Sequence, residues 1–348
     1  MRITPRFAFF SAVVLAHSAT AASAATVTGS ESGPLTVYST RHQPEDAKVL
    51  ALFTKATGIP VEAVDEDFDP LFERLSRERE HGPADVILSV GAATLERCAE
   101  AGLLQPIKSD AVLHAVPADL RDKDGEWVGL TYWARVIAYQ KDRFAASDLA
   151  DYEALADPKF QGRVLVRSAS SPYNQALVAA MLASRGSAAT EVWAHGLVAN
   201  LARPPQGGDT AQLQAMADGE GTISIVNTRY WARFASSDKV TEQEVVSNVG
   251  IIFPNQANRG TLVDVAGAAL SRWTARPHAA TMLIEFLLRP EVQKLMAGAD
   301  LEYPVVAGVE APAVLANLGA FKIDGPAIGL FGKFAPEADA VMARAGWE

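Results

Sequence analysis

The 348-residue chain has a single cysteine, Cys98. No intrachain disulfide can form, so a disulfide scaffold is excluded. A zinc ribbon, or an iron–sulfur cluster held by several thiolates, is excluded for the same reason. Histidine is also scarce: there are six, scattered, with His17 near the N-terminus. No local histidine cluster is available, so any metal site must gather residues from distant segments. Basic residues number 31 against 41 acidic, for a formal charge of −10. That balance argues against a nucleic-acid binder, which usually carries a basic face. Motifs of catalysis are missing too. There is no G-x-x-x-x-G-K-[ST] phosphate loop, no G-x-S-x-G elbow and no H-E-x-x-H. Gly207-Gly208 precede a helical stretch but lack the spacing of the dinucleotide fingerprint. No nucleophile–base pair can be named, so the expectation is that the protein is not an enzyme.

What is present is ordinary for a soluble globular protein: 49% apolar and 21% charged residues. The length allows about two domains. Residues 1–24 read as a secretory signal peptide. Arg2 and Arg6 give a positive start, Phe7 to Ala16 an apolar run, and Ala22-Ser23-Ala24 a cleavage site. The run is too short to span a bilayer, which needs about 20 residues. No other window reaches that length, so no membrane insertion is expected. Residues 25–33 are small and polar, a flexible leader. Cleavage removes two arginines and no acid, which takes the charge to −12. Cys98 lies at helical spacing with Leu95, Ala99 and Leu103, which reads as a small buried core residue.

Strands and helices alternate along the chain. Leu35–Tyr38, Val61–Val64 and Asp85–Val90 read as strands. The helices Pro44–Thr57, stopped by Gly58, and Pro70–Arg79 lie between them. Short connections make this a βαβαβ run, for which a parallel sheet is expected. Further strands are expected at Trp127–Tyr139, Arg163–Val166, Thr222–Val226, Val249–Phe253 and Val263–Leu270. Helices are expected at Ser171–Ser184, Glu191–Ala202, Thr210–Ala217, Ala275–Leu288 and Pro290–Ala297. The fold class is α/β, with two sheets rather than one.

In open α/β sheets ligands bind beyond the carboxyl ends of strands. Three such ends carry polar clusters. They are Ser39-Thr40-Arg41-His42-Gln43, then Arg167-Ser168-Ala169-Ser170-Ser171-Pro172-Tyr173-Asn174, then Asn227-Thr228-Arg229-Tyr230. Two of them lead into helices, whose free N–H groups suit anions.

These segments resemble the periplasmic ferric-iron-binding proteins of ABC importers, a branch of the type II periplasmic binding proteins. The resemblance is carried by Val37–His42, Gly82–Leu88, Glu100–Pro106, Val166-Arg167-Ser168 with Tyr173-Asn174-Gln175, Asn200–Thr210, Val226-Asn227-Thr228 and Phe253–Gln256. It runs in order through nearly the whole mature chain. It implies two α/β lobes joined by crossing hinge strands, with ligand in the cleft. The N-lobe would be residues 34–132 with 259–309, and the C-lobe 133–258 with 310–348. Crossings would fall near Tyr132–Arg135 and near Arg259. It further implies a monomer in the periplasm that delivers Fe3+ to an inner-membrane ABC permease.

The family binds Fe3+ mainly through tyrosines, because a small, highly charged cation prefers hard oxygen anions. A phenol of pKa about 10 must lose its proton to bind, and the metal drives that loss. Carried over residue by residue, the metal ligands would be His42, Tyr173 and Tyr230. The sequence departs from the pattern at three places. Gln43 and Arg229 stand where tyrosines are usual, and no acid follows the third strand near Gly91. Two phenolates leave Fe3+ with about one positive charge, and Arg229 adds another.

Two readings answer this. In the first, a synergistic anion such as carbonate completes the iron shell, held by Arg41, Gln43, Arg135, Arg229, Ser168 and Ser170. In the second, iron binding is lost and the cleft takes a small organic anion, phosphorylated or carboxylated. The first is the expectation. Tyr38, Tyr132 and Tyr139 are expected in the core or hinge. His81, His114 and His195 are expected at the surface. Asp65-Glu66-Asp67 reads as a solvated loop, and Arg203 as a residue fixing its own loop.

Overall fold

Fourteen consecutive extended residues, Trp127–Gln140, organise the fold. Val128, Tyr132, Trp133, Val136, Ile137 and Tyr139 are β-branched or aromatic and favour a pleated strand. Nearly every position is buried, as in a strand covered on both faces. The computed structural model describes residues 33–348. The expected signal peptide, and all of the leader but Gly33, lie outside the described residues.

The strands, in chain order, are β1 Leu35–Ser39, β2 Val61–Asp65, β3 Ala84–Ser89, β4 Leu104–Gln105 and β5 Trp127–Gln140. They continue as β6 Val164–Leu165, β7 Ile223–Asn227, β8 Val249–Ile252, β9 Val263–Ser271 and β10 Tyr303–Pro304. They pair in the order β2-β1-β3-β9-β5-β7-β6, with β4 on β9 and with β8 and β10 on β5. The parallel pairing expected of the βαβαβ run is present between β1 and β2 and between β1 and β3. β9 then runs antiparallel to β3 and to β5.

The expectation of two separate sheets needs amending, because β5 belongs to both halves. Up to Ala134 it pairs with β9, and from Arg135 onward with β7. A strand this long passes from one half to the other without a break. One continuous apolar core follows it through both halves.

Most helices fall where their end signals put them. The Pro44–Thr57 helix has Pro44 at its start, Glu45 and Asp46 in its first turn, and Gly58 at φ 78° as its stop. Helices at Thr228–Ala235 and Val240–Asn248 were not anticipated. The first is eight residues long and the second is rich in β-branched and polar residues, both poor helix signals. Phe331–Ala345 was also missed, and Pro336 lies inside it.

The crossing is held by side chains. Tyr152 donates its hydroxyl to the Arg135 carbonyl at 2.5 Å and accepts from the Leu262 N–H at 3.3 Å. One hydroxyl thereby ties β5 to the segment entering β9. Residues 253–262 bring the chain back from β8. There Arg259 pairs with Glu153 at 2.7 Å and Asp324 at 3.4 Å. Thr261 N–H donates to the Lys322 carbonyl, and Asp324 N–H to the Thr261 carbonyl.

Two predictions follow from this frame. Gly260 sits at φ 100°, and a Cβ there would lie 2.6 Å from the Ile323 backbone. Gly260→Ala is expected to destabilise by about 1–3 kcal/mol through backbone strain alone, measured by urea denaturation; a neutral effect would contradict the geometry. The second concerns Glu96, which accepts from Trp127 Nε1 at 2.9 Å. Burial, reinforced by Asp122 and Glu100, pushes its carboxyl up to about 7, against the Trp127 bond and Lys123. As pH rises from about 4.5 to 7 the unfolded chain ionises first, so stability falls. Glu96→Gln is expected to flatten that decline when unfolding is compared at pH 5 and pH 7.

Candidate ligand-binding site

β7 ends at Asn227, and the next residues open the Thr228–Ala235 helix. Arg229 and Tyr230 thus stand at the carboxyl end of a strand. The Pro172–Arg185 helix starts after the β6 loop, with Tyr173 in its first turn. These two helix starts bring the Tyr173 and Tyr230 hydroxyls to 3.5 Å. Arg229 Nη2 donates to both, at 2.9 Å and 3.1 Å. Its guanidinium lies 4.7 Å from the Trp133 ring centre and 5.0 Å from that of Tyr230.

Arg229 is 5% exposed, so its charge needs a partner. Glu302, 1% exposed, supplies it: Arg229 Nη1 meets Glu302 Oε1 at 2.8 Å. The second Glu302 oxygen accepts from the Thr131 hydroxyl at 2.5 Å. Arg229 is therefore not the added positive charge that its sequence context implies, because Glu302 neutralises it. The acid lies 73 residues away with no motif around it, so nothing in the sequence pointed to it.

The two phenols are pushed in opposite directions. Burial, the largest effect, and the neighbouring Tyr230 raise Tyr173, against the Arg229 charge. Burial also opposes ionisation of Tyr230. There the Arg229 charge and hydrogen bonds with Tyr173 and Arg229 prevail and lower its pKa. Tyr230 is therefore the first of the pair to become a phenolate.

The other arginines of the expected site are already matched. Arg41 is buried, with Asp46 at 2.8 Å and Asp300 at 2.6 Å. Arg135 is buried against Asp209 at 3.0 Å, and it donates to Asn227 and Asn174 at 3.1 Å and 2.8 Å. Asp209, in the segment that carried much of the resemblance, also accepts from the Asn227 N–H at 2.7 Å and from Arg167 at 3.3 Å. It locks the Asp209–Ala217 helix to β5 and β7. This differs from the expectation that Arg41 and Arg135 hold an anion, since each is fixed by carboxylates that the sequence did not connect to it.

His42 does not join the tyrosines directly. It is half-exposed at φ 51°, with Nδ1 2.8 Å from Asp65 and Nε2 3.3 Å from Asp67. Asp65-Glu66-Asp67 is therefore more than a solvated loop: its outer acids flank the imidazole, and Glu66 pairs with Arg74. Gln43 precedes the Pro44 helix as its N-cap residue, with no capping side-chain bond. The Ser168 and Ser170 hydroxyls bond each other at 2.7 Å at the rim. Arg203 meets Gln212 and Glu220, which fixes its own loop as expected. Trp231 packs against the core.

A narrow cavity of about 10 Å³ lies beside Tyr173, room for one water-sized group. Trp133, Arg135, Tyr173, Asn227 and Asp264 are among its lining residues. Two buried donors there, Arg135 Nε and Asn227 Nδ2, have no partner among the described residues. Burial pushes Asp264 up to about 6, against its backbone hydrogen bonds and Arg229. Among the described residues, no cluster of three or more His, Cys, Asp or Glu is placed to hold a metal ion. Nor is any helix among them long and apolar enough to cross a membrane.

A two-lobed α/β fold with a polar cleft at its strand ends is the architecture of solute-binding proteins. Residues 48–323 match the bacterial extracellular solute-binding protein family, and the chain belongs to it. It is similar to iron uptake protein A1 of Synechocystis sp. (strain PCC 6803), at 40% identity over 92% of this chain and 89% of that protein. The Trichodesmium protein (IdiA, FutA), solved in complex with iron and citrate, matches with a TM-score of 0.87 at 41% identity. That match covers 91% of this chain and 100% of the other. The ferric binding protein from Campylobacter jejuni matches with a TM-score of 0.82 at 35% identity, over 90% of this chain and 100% of that one.

The Arg229–Glu302 pair carries a prediction. Removing one partner of a buried ion pair strands the other charge, at a cost of about 3–5 kcal/mol. Glu302→Gln is expected to lose that much in chemical denaturation of metal-free protein. A loss below about 1 kcal/mol would show that water already reaches the guanidinium.

Proposed function

We propose that this protein captures ferric iron in its cleft in the periplasm and presents it to an inner-membrane ABC permease. It binds rather than catalyses. In this reading it works as a monomer with lobes at residues 34–132 with 259–309 and 133–258 with 310–348. His42, Tyr173 and Tyr230 are the metal ligands.

One observation carries the reading: two phenolic oxygens 3.5 Å apart, beside an arginine whose charge is cancelled. Hard anionic oxygens suit Fe3+. Arg229 lowers the proton affinity of Tyr230, and Glu302 keeps the guanidinium from adding net charge to the site. His42 suits a ligand as well. With Nδ1–H donated to Asp65, Nε2, now 3.3 Å from Asp67, is the nitrogen that would turn from that acid to the metal, a carboxylate–histidine arrangement. An exogenous anion such as carbonate completes the shell. Gln43 and the Ser168–Ser171 helix start are the groups for it, since Arg41 and Arg135 are held by carboxylates. The relatives support the choice of iron over an organic anion. So does the matching of Arg41, Arg135 and Arg229 by acids, because the organic-anion reading relied on those charges.

Protein mixed with ferric citrate in bicarbonate buffer is expected to show a visible tyrosinate-to-iron charge-transfer band. Absence of the band with and without bicarbonate would overturn the proposal. Tyr173→Phe and Tyr230→Phe are each expected to weaken iron binding at least about tenfold, since each deletes an anionic ligand. Gln43→Ala should cost less, and competition against a chelator measures all three. Equal small losses would show that the ligand set is wrong.

A further inference from the structure

The geometry points to Asp264 as a third protein anion of the ferric site, a carboxylate delivered by β9 to the place left empty at Gly91. The inference rests on the reading of the cleft as an iron site and adds a residue to it.

After β3 the chain has Gly91 where an acid was expected. The space is not empty. Asp264 Oδ2 lies 3.3 Å from where a Cβ on Gly91 would stand. β9 aligns Asp264 with Trp133 of β5, and Trp133 packs edge-on to Tyr173. Asp264, Trp133 and Tyr173 line the same small cavity. The carboxylate is also held in place. Its Oδ1 accepts from the Ala92 N–H at 2.9 Å and from its own neighbour Val265 at 2.8 Å. Among the described residues Oδ2 has no hydrogen-bond partner and remains available to a cation.

Charge gives the reason. Arg229 and Glu302 cancel. Tyr173 and Tyr230 supply two negative charges once ionised, which leaves Fe3+ short by one. Asp264 supplies the third from within the fold. Arg167, which stacks on the Tyr173 ring at 4.9 Å, is partly exposed and shares Asp209. Asp209 carries one charge and is already paired with Arg135, so the charge of Arg167 is met mainly by water at its exposed side. Four protein ligands, with Asp264 joining His42, Tyr173 and Tyr230, leave positions for an exogenous oxygen ligand. With the protein already neutralising the metal, that ligand is not needed for charge.

Asp264→Asn tests this, because the amide oxygen still accepts from Ala92 and Val265 while the charge is lost. Ferric nitrilotriacetate is the iron source, and metal-free melting serves as a control for folding. Relative to wild type, Asp264→Asn is expected to bind iron at least tenfold more weakly and to shift the charge-transfer band, with metal-free melting unchanged. Added bicarbonate should recover more affinity in Asp264→Asn than in wild type. Affinity within twofold of wild type and an unmoved band would overturn the inference, leaving Asp264 as a cap of the Ala92 helix. If the Asn variant does not fold, Asp264→Ser, which also accepts and is also neutral, is read with the same two outcomes. A wild-type protein with no band would overturn the iron reading itself. A normal wild-type band with an unchanged variant would overturn only the role of Asp264.

Discussion

A guanidinium held between two phenols and an indole cannot be left with its charge unmet, and Glu302 meets it. Much of the cleft depends on that pair. It fixes Arg229 so that one nitrogen reaches both hydroxyls, and it sets which phenol ionises first. It also spans the chain. Arg229 stands after β7, whereas Glu302 directly precedes β10, which pairs with β5. The pair therefore joins the strand end that carries a tyrosine to β10 and, through Thr131, to β5. A buried ion pair is weak evidence for stability, since desolvation offsets attraction. Its value here lies in placement.

The same logic repeats nearby. Arg41 is held by Asp46 and Asp300, and Arg135 by Asp209. Each buried cation has its acid on a different element, so these pairs act as register pins between segments. A site rich in arginine can therefore remain receptive to a cation. Most of the positive charge is consumed within the fold, which leaves the Tyr173 and Tyr230 oxygens as the hard anionic groups of the proposed site.

Much of this was legible in the sequence. Strand and helix periods, the Gly58 stop and the first-turn prolines placed most elements, because those signals are local. Two of the three polar strand ends come together, and two of the three proposed metal ligands, Tyr173 and Tyr230, do meet. What stayed hidden was pairing at long range. Glu302, Asp264 and Asp209 lie among ordinary neighbours, and nothing local shows which cation or cavity each one faces. The helices at Thr228 and Val240 stayed hidden for a different reason, since tertiary packing rather than intrinsic propensity holds them. The passage of β5 between the two halves near Tyr132–Arg135 was expected only through the resemblance, because a fourteen-residue extended run by itself looks the same whether it serves one sheet or two.

Cys98 is fully buried in the helix before β4, and burial raises its thiol to about 12. Thiolate is the form that attacks disulfides and reacts with oxidants. A protein with one such sulfur, kept protonated and enclosed, has no exposed handle for cross-linking to a second copy. Its handling therefore calls for no reductant, which matters for the proposed ferric cargo, since reductants would convert it to the ferrous state.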